Sequence, residues 1–142
     1  MTTLRFQNGK DFFEMAVATE DDSALPNYGD AYVTVKVQSA GFVGHNDLWV
    51  LGPAMSAFCH ALVRLERSLR GEAVLESIAP DELELKVHSV TSRGHLAVEG
   101  KTGYYINGEN AMYWHSVSFG LEFEPGQLST AITLAWVKRY AG

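Results

Sequence analysis

Five histidines of this 142-residue chain could support metal binding or proton transfer, namely His45, His60, His88, His95 and His115. An imidazole ligates zinc readily and exchanges a proton near neutral pH. His88 and His95 flank a predicted turn at 91–94, which would place them close together on one face of a hairpin, with Glu99 nearby. Their spacing matches no established zinc motif, and H-E-x-x-H is absent. We therefore predict solvent-facing strand histidines, with no metal and no cofactor.

Neither the cysteine nor the glycines form a known catalytic motif. Cys59 is the single cysteine and lies in a predicted helix, without the sequence that frames a reactive thiol, so it is predicted to be a small semi-buried apolar residue. The patterns G-x-G-x-x-G and G-x-S-x-G do not occur. Carboxylates cluster at 20–22 and 81–84, but in predicted loops and strand starts instead of a buried setting. The sequence thus predicts no catalytic residue.

The formal net charge of −6 bears on the class of partner. Phosphate binding needs concentrated lysine and arginine, so nucleic acid is not predicted as a partner. No run of about 18 apolar residues suggests a membrane span, and no signal peptide is evident, so we expect a cytoplasmic protein without a membrane partner.

The acidic residues are concentrated toward the N-terminal side of the sequence. Residues 1–50 hold seven acidic and three basic side chains, and Glu20, Asp21, Asp22 and Asp30 fall in one predicted loop. Two interpretations of this loop stay open, a solvated loop and a contact patch for a basic protein. The second predicts that charge reversal at Glu20, Asp21 and Asp22 slows association and flattens its dependence on salt.

The elements that would position these residues are read from hydrophobic periodicity. Strict alternation, as in residues 83–87 and 117–123, predicts strands with one dry and one wet face. Apolar stripes predict helices over about 53–70 and 125–140. We predict a single α+β domain over 1–142, with a mainly antiparallel twisted sheet of about seven or eight strands and the two helices packed on its apolar face.

Charge patterning sets the register of the hairpin that turns at 91–94. If Lys86 faces Glu99, then Glu84 faces Lys101, whereas a slip of two residues would place two lysines opposite each other. The same register pairs two valines on the dry face, Val87 with Val98.

Four aromatic residues crowd the next strand pair: Tyr104, Tyr105, Tyr113 and Trp114. Wherever they are exposed, they are natural anchors for a binding partner. The competing interpretation packs about half of them in the core, since alternation normally buries one parity.

From Tyr32 to Val137 the order and spacing of elements resemble the WapI-type family of small bacterial immunity proteins, which belong to polymorphic toxin systems. The segments that carry the resemblance are YVTVKV, Phe42-Val43-Gly44, Met55-x-x-Phe58-x-x-x-Leu62-x-x-Leu65 ending at Gly71, LELKV, Gly94-His95-Leu96-Ala97-Val98, and Phe119-x-Leu121-x-Phe123 followed by Gln127-Leu128. The resemblance implies a non-enzymatic protein that binds and neutralises a toxin domain, often a nuclease. Such toxins tend to be basic, which suits an acidic partner.

Two further functions stay open. One is a small-molecule-binding or enzymatic α+β domain that uses the polar sheet face with Trp114, His88, His95 and His115. The other is a self-associating structural module, such as a homodimer, that pairs through an edge strand or exposed aromatic residues.

Overall fold

The computed structural model describes residues 2–142, which form two four-stranded antiparallel sheets and three helices. The first sheet contains β1 (Thr3–Asn8), β2 (Asp11–Thr19), β3 (Ala31–Ser39) and β4 (Phe42–Val50) in that order. The second contains β5 (Glu72–Glu76), β6 (Leu83–Ser89), β7 (Leu96–Asn107) and β8 (Met112–Phe123) in that order. The helices are α1 (Gly52–Ser68), α2 (Pro125–Ala131) and α3 (Ala135–Ala141).

The α+β class and the antiparallel pairing are confirmed, but the prediction of one continuous sheet is wrong. The chain leaves the first sheet after β4, runs through α1 and starts the second sheet at β5, so β4 and β5 are edges of different sheets. Alternation indicates where strands are, but it does not indicate which strand edges pair.

One hydrophobic core joins the inner faces of both sheets to the helices. Two stacked ring pairs connect the sheets directly, Phe6 with Phe123 at 4.0 Å between centroids and Phe13 with Phe119 at 5.4 Å. α1 packs along β5 and α3 and buries the predicted apolar stripe from Met55 to Leu65.

None of the helices in residues 2–142 is long and apolar enough to cross a membrane.

The predicted helix over 125–140 is two short helices. The break falls at Leu134, whose backbone is extended (φ −62°, ψ 141°) and whose side chain is buried. The hydroxyl of Thr133 donates a hydrogen bond to the carbonyl of Thr130 at 2.6 Å, which competes with the helical backbone pattern. The first helix also ends two residues before the predicted boundary, at Ser68.

The hairpin that turns at 91–94 has the pairing expected from its charges. The register of β6 with β7 is the predicted one, because Lys86 lies opposite Glu99 and Glu84 opposite Lys101. In the first sheet, β4 begins at Phe42, directly after a tight turn. Ala40 and Gly41 both adopt positive φ, so these two residues complete the turn and leave Phe42 free to pair.

Cys59 is fully buried in α1, and burial raises the pKa of its thiol to about 12. Because the thiolate is the reactive form, we expect almost no reaction with Ellman's reagent at pH 8 while the protein is folded. The rate should rise in proportion to the unfolded fraction as urea is added. Fast stoichiometric labelling in native buffer would show that α1 opens locally.

Candidate protein-binding surface

The β7–β8 hairpin extends beyond the rest of its sheet. Pairing of β6 with β7 ends at Leu83 opposite Thr102, whereas pairing of β7 with β8 continues to Asn107 opposite Met112. We call residues 103–116 the ribbon. Within the described chain, no third strand pairs with it on either side.

The ribbon exposes six large apolar side chains: Tyr104, Tyr105, Ile106, Met112, Tyr113 and Trp114. They include all three aromatic residues predicted to contact a partner. Tyr105 and Trp114 lie together on one face, and Tyr104 lies on the other. The interpretation that half of the four aromatic residues pack in the core is wrong, because no other layer covers this part of the hairpin. Three of the six lie on each face, with Tyr105, Met112 and Trp114 on the outer face. Several large exposed apolar side chains on one element are typical of an interaction site.

Trp114 and Tyr105 lie opposite each other on the outer face of the ribbon and make an edge-to-face contact with centroids 5.0 Å apart. The Trp114 ring lies against Gly103, where a Cβ would collide with the ring carbon Cζ2 and would sit 2.9 Å from the carbonyl oxygen of His115. Gly103 therefore lets the indole lie flat on the backbone. The ring is held in position although 40% of Trp114 is exposed, so little ordering entropy remains to be lost on binding.

A buried polar group fixes the base of the ribbon to the first sheet. Asn46 of β4 is 7% exposed, and its Nδ2 donates hydrogen bonds to the carbonyl of Gly103 at 2.9 Å and to Oγ1 of Thr102 at 3.1 Å. The Thr102 hydroxyl in turn donates to the carbonyl of Glu82 at 2.6 Å. Asn46 was not predicted as a functional residue, although its spacing from the apolar Leu48 places both on the same buried face of β4.

A cleft of about 270 Å³ separates β4 from the ribbon. Val43 and His45 line one side, and Tyr104 and His115 line the other. Val43 is 72% exposed, so the cleft has an apolar rim large enough for one side chain of a partner.

The outer face of the second sheet, which continues onto Tyr105 and Trp114, is acidic. The strands of this face carry five carboxylates, those of Glu72, Glu76, Glu84, Glu99 and Glu122. We count Asp81 of the adjoining turn with them because it forms an ion pair with Lys101 of the face. Against these six carboxylates stand the two ammonium groups of Lys86 and Lys101. The formal charge of this surface, which we call the acidic face, is therefore −4. On the outer face of the first sheet, Arg5 and Lys36 balance Glu14 and Asp47.

The ion pairs of the acidic face leave much of its charge unneutralised. Lys101 contacts Asp81 at 3.0 Å and Glu84 at 3.7 Å, and the hydrogen bond with Asp81 is the main cause that raises the pKa of Lys101. Glu76 lies directly opposite Glu84 across the β5–β6 ladder. Facing like charges cost stability, so this pair disfavours the folded state.

The carboxylates of the predicted acidic loop have partners inside the chain. Asp21 forms an ion pair with Arg139 at 2.6 Å. The side chain of Asp22 accepts the N–H of Ala24 at 2.9 Å. The carboxylate of Glu20 accepts the N–H of Asp22 at 3.3 Å. The backbone N–H of Glu20 donates to the carbonyl of Asp30 at 2.9 Å, which closes the loop.

The loop and the ribbon are not brought together. The side chain of Asp30 accepts the N–H of Gly52, just after the end of β4, at 2.8 Å. Val43, at the start of the same strand, lines the cleft beside the ribbon. The two groups of predicted contact residues therefore lie at opposite ends of β4.

The histidines do not converge on one centre. His88 lies 3.3 Å from Glu99, His95 bonds to the Thr91 hydroxyl at 2.9 Å, and His115 lies on the opposite face of the ribbon from Trp114. In residues 2–142, no three histidine, cysteine, aspartate or glutamate side chains are grouped so as to hold a metal ion.

Comparison with known proteins does not supply a family. The chain matches no model of a known protein family, and no curated protein matches it significantly. The function is therefore argued from the ribbon, the cleft and the acidic face.

Proposed function

We propose that this protein is a non-enzymatic immunity protein that binds and neutralises a basic toxin domain, with the ribbon as its docking surface. The observation that carries the proposal is the ribbon itself, where large apolar side chains are exposed on both faces of a projecting hairpin. Aromatic side chains that become buried in an interface supply a large share of binding energy.

The fixed geometry of Trp114 and Tyr105 supports a role in binding. A hydrophobic residue that is exposed and held rigid contributes little to the core, but it saves conformational entropy when a partner covers it. The cleft beside Val43 adds a pocket next to these anchors.

The acidic face supports a basic partner. A surface of net charge −4 attracts a cationic protein and accelerates its diffusional approach. The resemblance to WapI-type immunity proteins adds the proposal that this partner is a toxin domain, with a nuclease as one example.

The direct experiment mixes the purified protein with the toxin domain encoded by an adjacent gene. We expect a complex with a dissociation constant below the micromolar range and loss of the toxin's activity. The absence of a complex at micromolar concentrations, together with unchanged toxin activity, would contradict the proposal for that pair.

Removing charges shows whether the acidic face or the acidic loop attracts the basic partner. The triple variant Glu76→Gln, Glu84→Gln, Glu99→Gln should slow association about tenfold at low salt and flatten the salt dependence of the rate. Its Tm should not fall, because the variant also relieves the repulsion between Glu76 and Glu84.

The matched control removes three charges from the loop, with Glu20→Gln, Asp21→Asn and Asp22→Asn. We expect this control to keep nearly the wild-type rate, since Asp21 is already paired with Arg139. A slow loop variant beside an unchanged sheet variant would assign the electrostatic contact to the loop.

A further inference from the structure

Side-chain contacts show which way the backbone of β8 points. The Ser39 hydroxyl donates to the carbonyl of Gly120 at 2.9 Å and accepts the N–H of Gly120 at 3.4 Å. The backbone polar groups of Gly120 thus point away from β7. Because this direction alternates with a period of two residues, the N–H and C=O groups of Met112, Trp114, Ser116 and Ser118 also point to the free edge of β8.

A hydrogen bond of Gly103 also shows which backbone groups of β8 point outward. The N–H of Gly103 donates to the carbonyl of Glu82 at 3.2 Å, so it points toward β6 and not toward β8. Gly103 lies opposite Ser116, which makes this a pair without mutual hydrogen bonds. Ser116 must therefore direct its backbone groups outward.

Two other strand edges, those of β1 and β4, are blocked by specific groups of the chain. The Gln127 side chain accepts the N–H of Gln7 in β1 at 2.7 Å and donates to its carbonyl at 2.9 Å. The N–H of Ile78 donates to the carbonyl of Trp49 in β4 at 2.9 Å.

The edge of β8 from Met112 to Ser118 lacks such a block. Within residues 2–142, no turn, loop or side chain hydrogen-bonds to its four outward backbone pairs. The segment also contains no lysine or proline, the residues that commonly prevent edge pairing. An open edge of this kind accepts an additional strand.

We propose that a strand of the basic partner adds to β8 along Met112–Ser118. This inference rests on the proposed function and specifies how the ribbon is used. A second copy of the chain is a poorer occupant, because edge-to-edge pairing would bring two acidic faces side by side in a protein of net charge −6. The added strand should place Lys or Arg on the side of the acidic face and apolar residues on the side of the cleft.

Amide hydrogen exchange read by NMR tests this pairing residue by residue. In the free protein, the amides of Tyr113, His115 and Val117 should exchange slowly, and those of Trp114 and Ser116 fast. In the complex with the toxin domain, Trp114 and Ser116 should slow by at least about tenfold, which removes the alternation.

A proline pair supplies the matched variants. Ser116→Pro removes an outward N–H at the β8 edge, and Asn107→Pro removes an outward N–H at the opposite edge of the ribbon. We expect Ser116→Pro to weaken the complex about tenfold and Asn107→Pro to leave it unchanged, with similar Tm values for both.

The possible results distinguish failure of strand addition at β8 from failure of the proposed function. A complex without protection at Trp114 and Ser116, or with protection at Tyr105 and Asn107 instead, would overturn strand addition at β8 and leave the proposed function standing. Slow exchange of Trp114 and Ser116 in the free protein that depends on protein concentration would assign the edge to a second copy. Failure of the wild type to form any complex would overturn the proposed function, and strand addition with it.

Discussion

Asn46→Ala is expected to lower the free energy of unfolding by about 3 kcal/mol. The variant removes the buried amide that donates to Gly103 and Thr102, and it leaves the carbonyl of Gly103 without a partner beneath the ribbon. An unpaired buried acceptor loses its solvation without compensation, and the lost side chain also leaves a void. Urea unfolding followed by circular dichroism measures the change.

The neighbouring residue supplies a matched control. Asp47 accepts a hydrogen bond from Thr34 at 2.7 Å on the exposed outer face of the same strands. Asp47→Ala should cost less than about 1 kcal/mol, because water replaces an exposed hydrogen bond. Equal losses for the two variants would show that the Asn46 network does not fix the base of the ribbon.

The second large effect concerns binding. The double variant Tyr105→Ala, Trp114→Ala is expected to weaken binding of the toxin domain by about 100-fold or more, in line with the loss of aromatic anchors at the centre of an interface. The free energy of unfolding should change by at most about 1 kcal/mol, since both side chains lie on the exposed ribbon. Titration calorimetry and urea unfolding measure the two quantities.

An equivalent aromatic pair on the first sheet controls for nonspecific loss of apolar surface. Tyr32 and Trp49 also contact each other on an outer face, with centroids 5.2 Å apart. The variant Tyr32→Ala, Trp49→Ala should bind the toxin domain with nearly wild-type affinity. Equal weakening by both double variants would contradict a docking role specific to the ribbon.

Local patterns in the sequence predicted local structure well. The charges of Lys86 and Glu99 fixed the register of one hairpin, because only one alignment pairs opposite charges and apolar faces together. The apolar stripe from Met55 to Leu65 likewise predicted the buried side of α1.

Longer-range features could not be predicted in the same way. Alternation does not show which strands share a sheet, so the separation of β4 from β5 was missed. Alternation also implies a buried face only for those parts of a strand on which another layer packs. The ribbon extends past that layer, so Tyr104 and Tyr105 are both exposed despite opposite parities.

The distribution of charge shows the same limit. The excess of acidic residues in 1–50 favoured the acidic loop as a contact site. Composition could not reveal that Arg139, more than 100 positions later, pairs with Asp21. The acidic face is assembled from four strands and one turn, so its charge is visible only when their register is known.

Oxidative footprinting of the exposed aromatic residues tests the docking role of the ribbon most directly. Hydroxyl radicals modify accessible tyrosine and tryptophan side chains, and mass spectrometry reads each site in the free protein and in the complex with the toxin domain. We predict strong protection of Tyr105, Tyr113 and Trp114, and no change at Tyr28 or Tyr32, which are exposed elsewhere on the surface. Protection of Tyr28, which lies in the acidic loop, with unchanged oxidation of the ribbon would contradict the proposed docking surface.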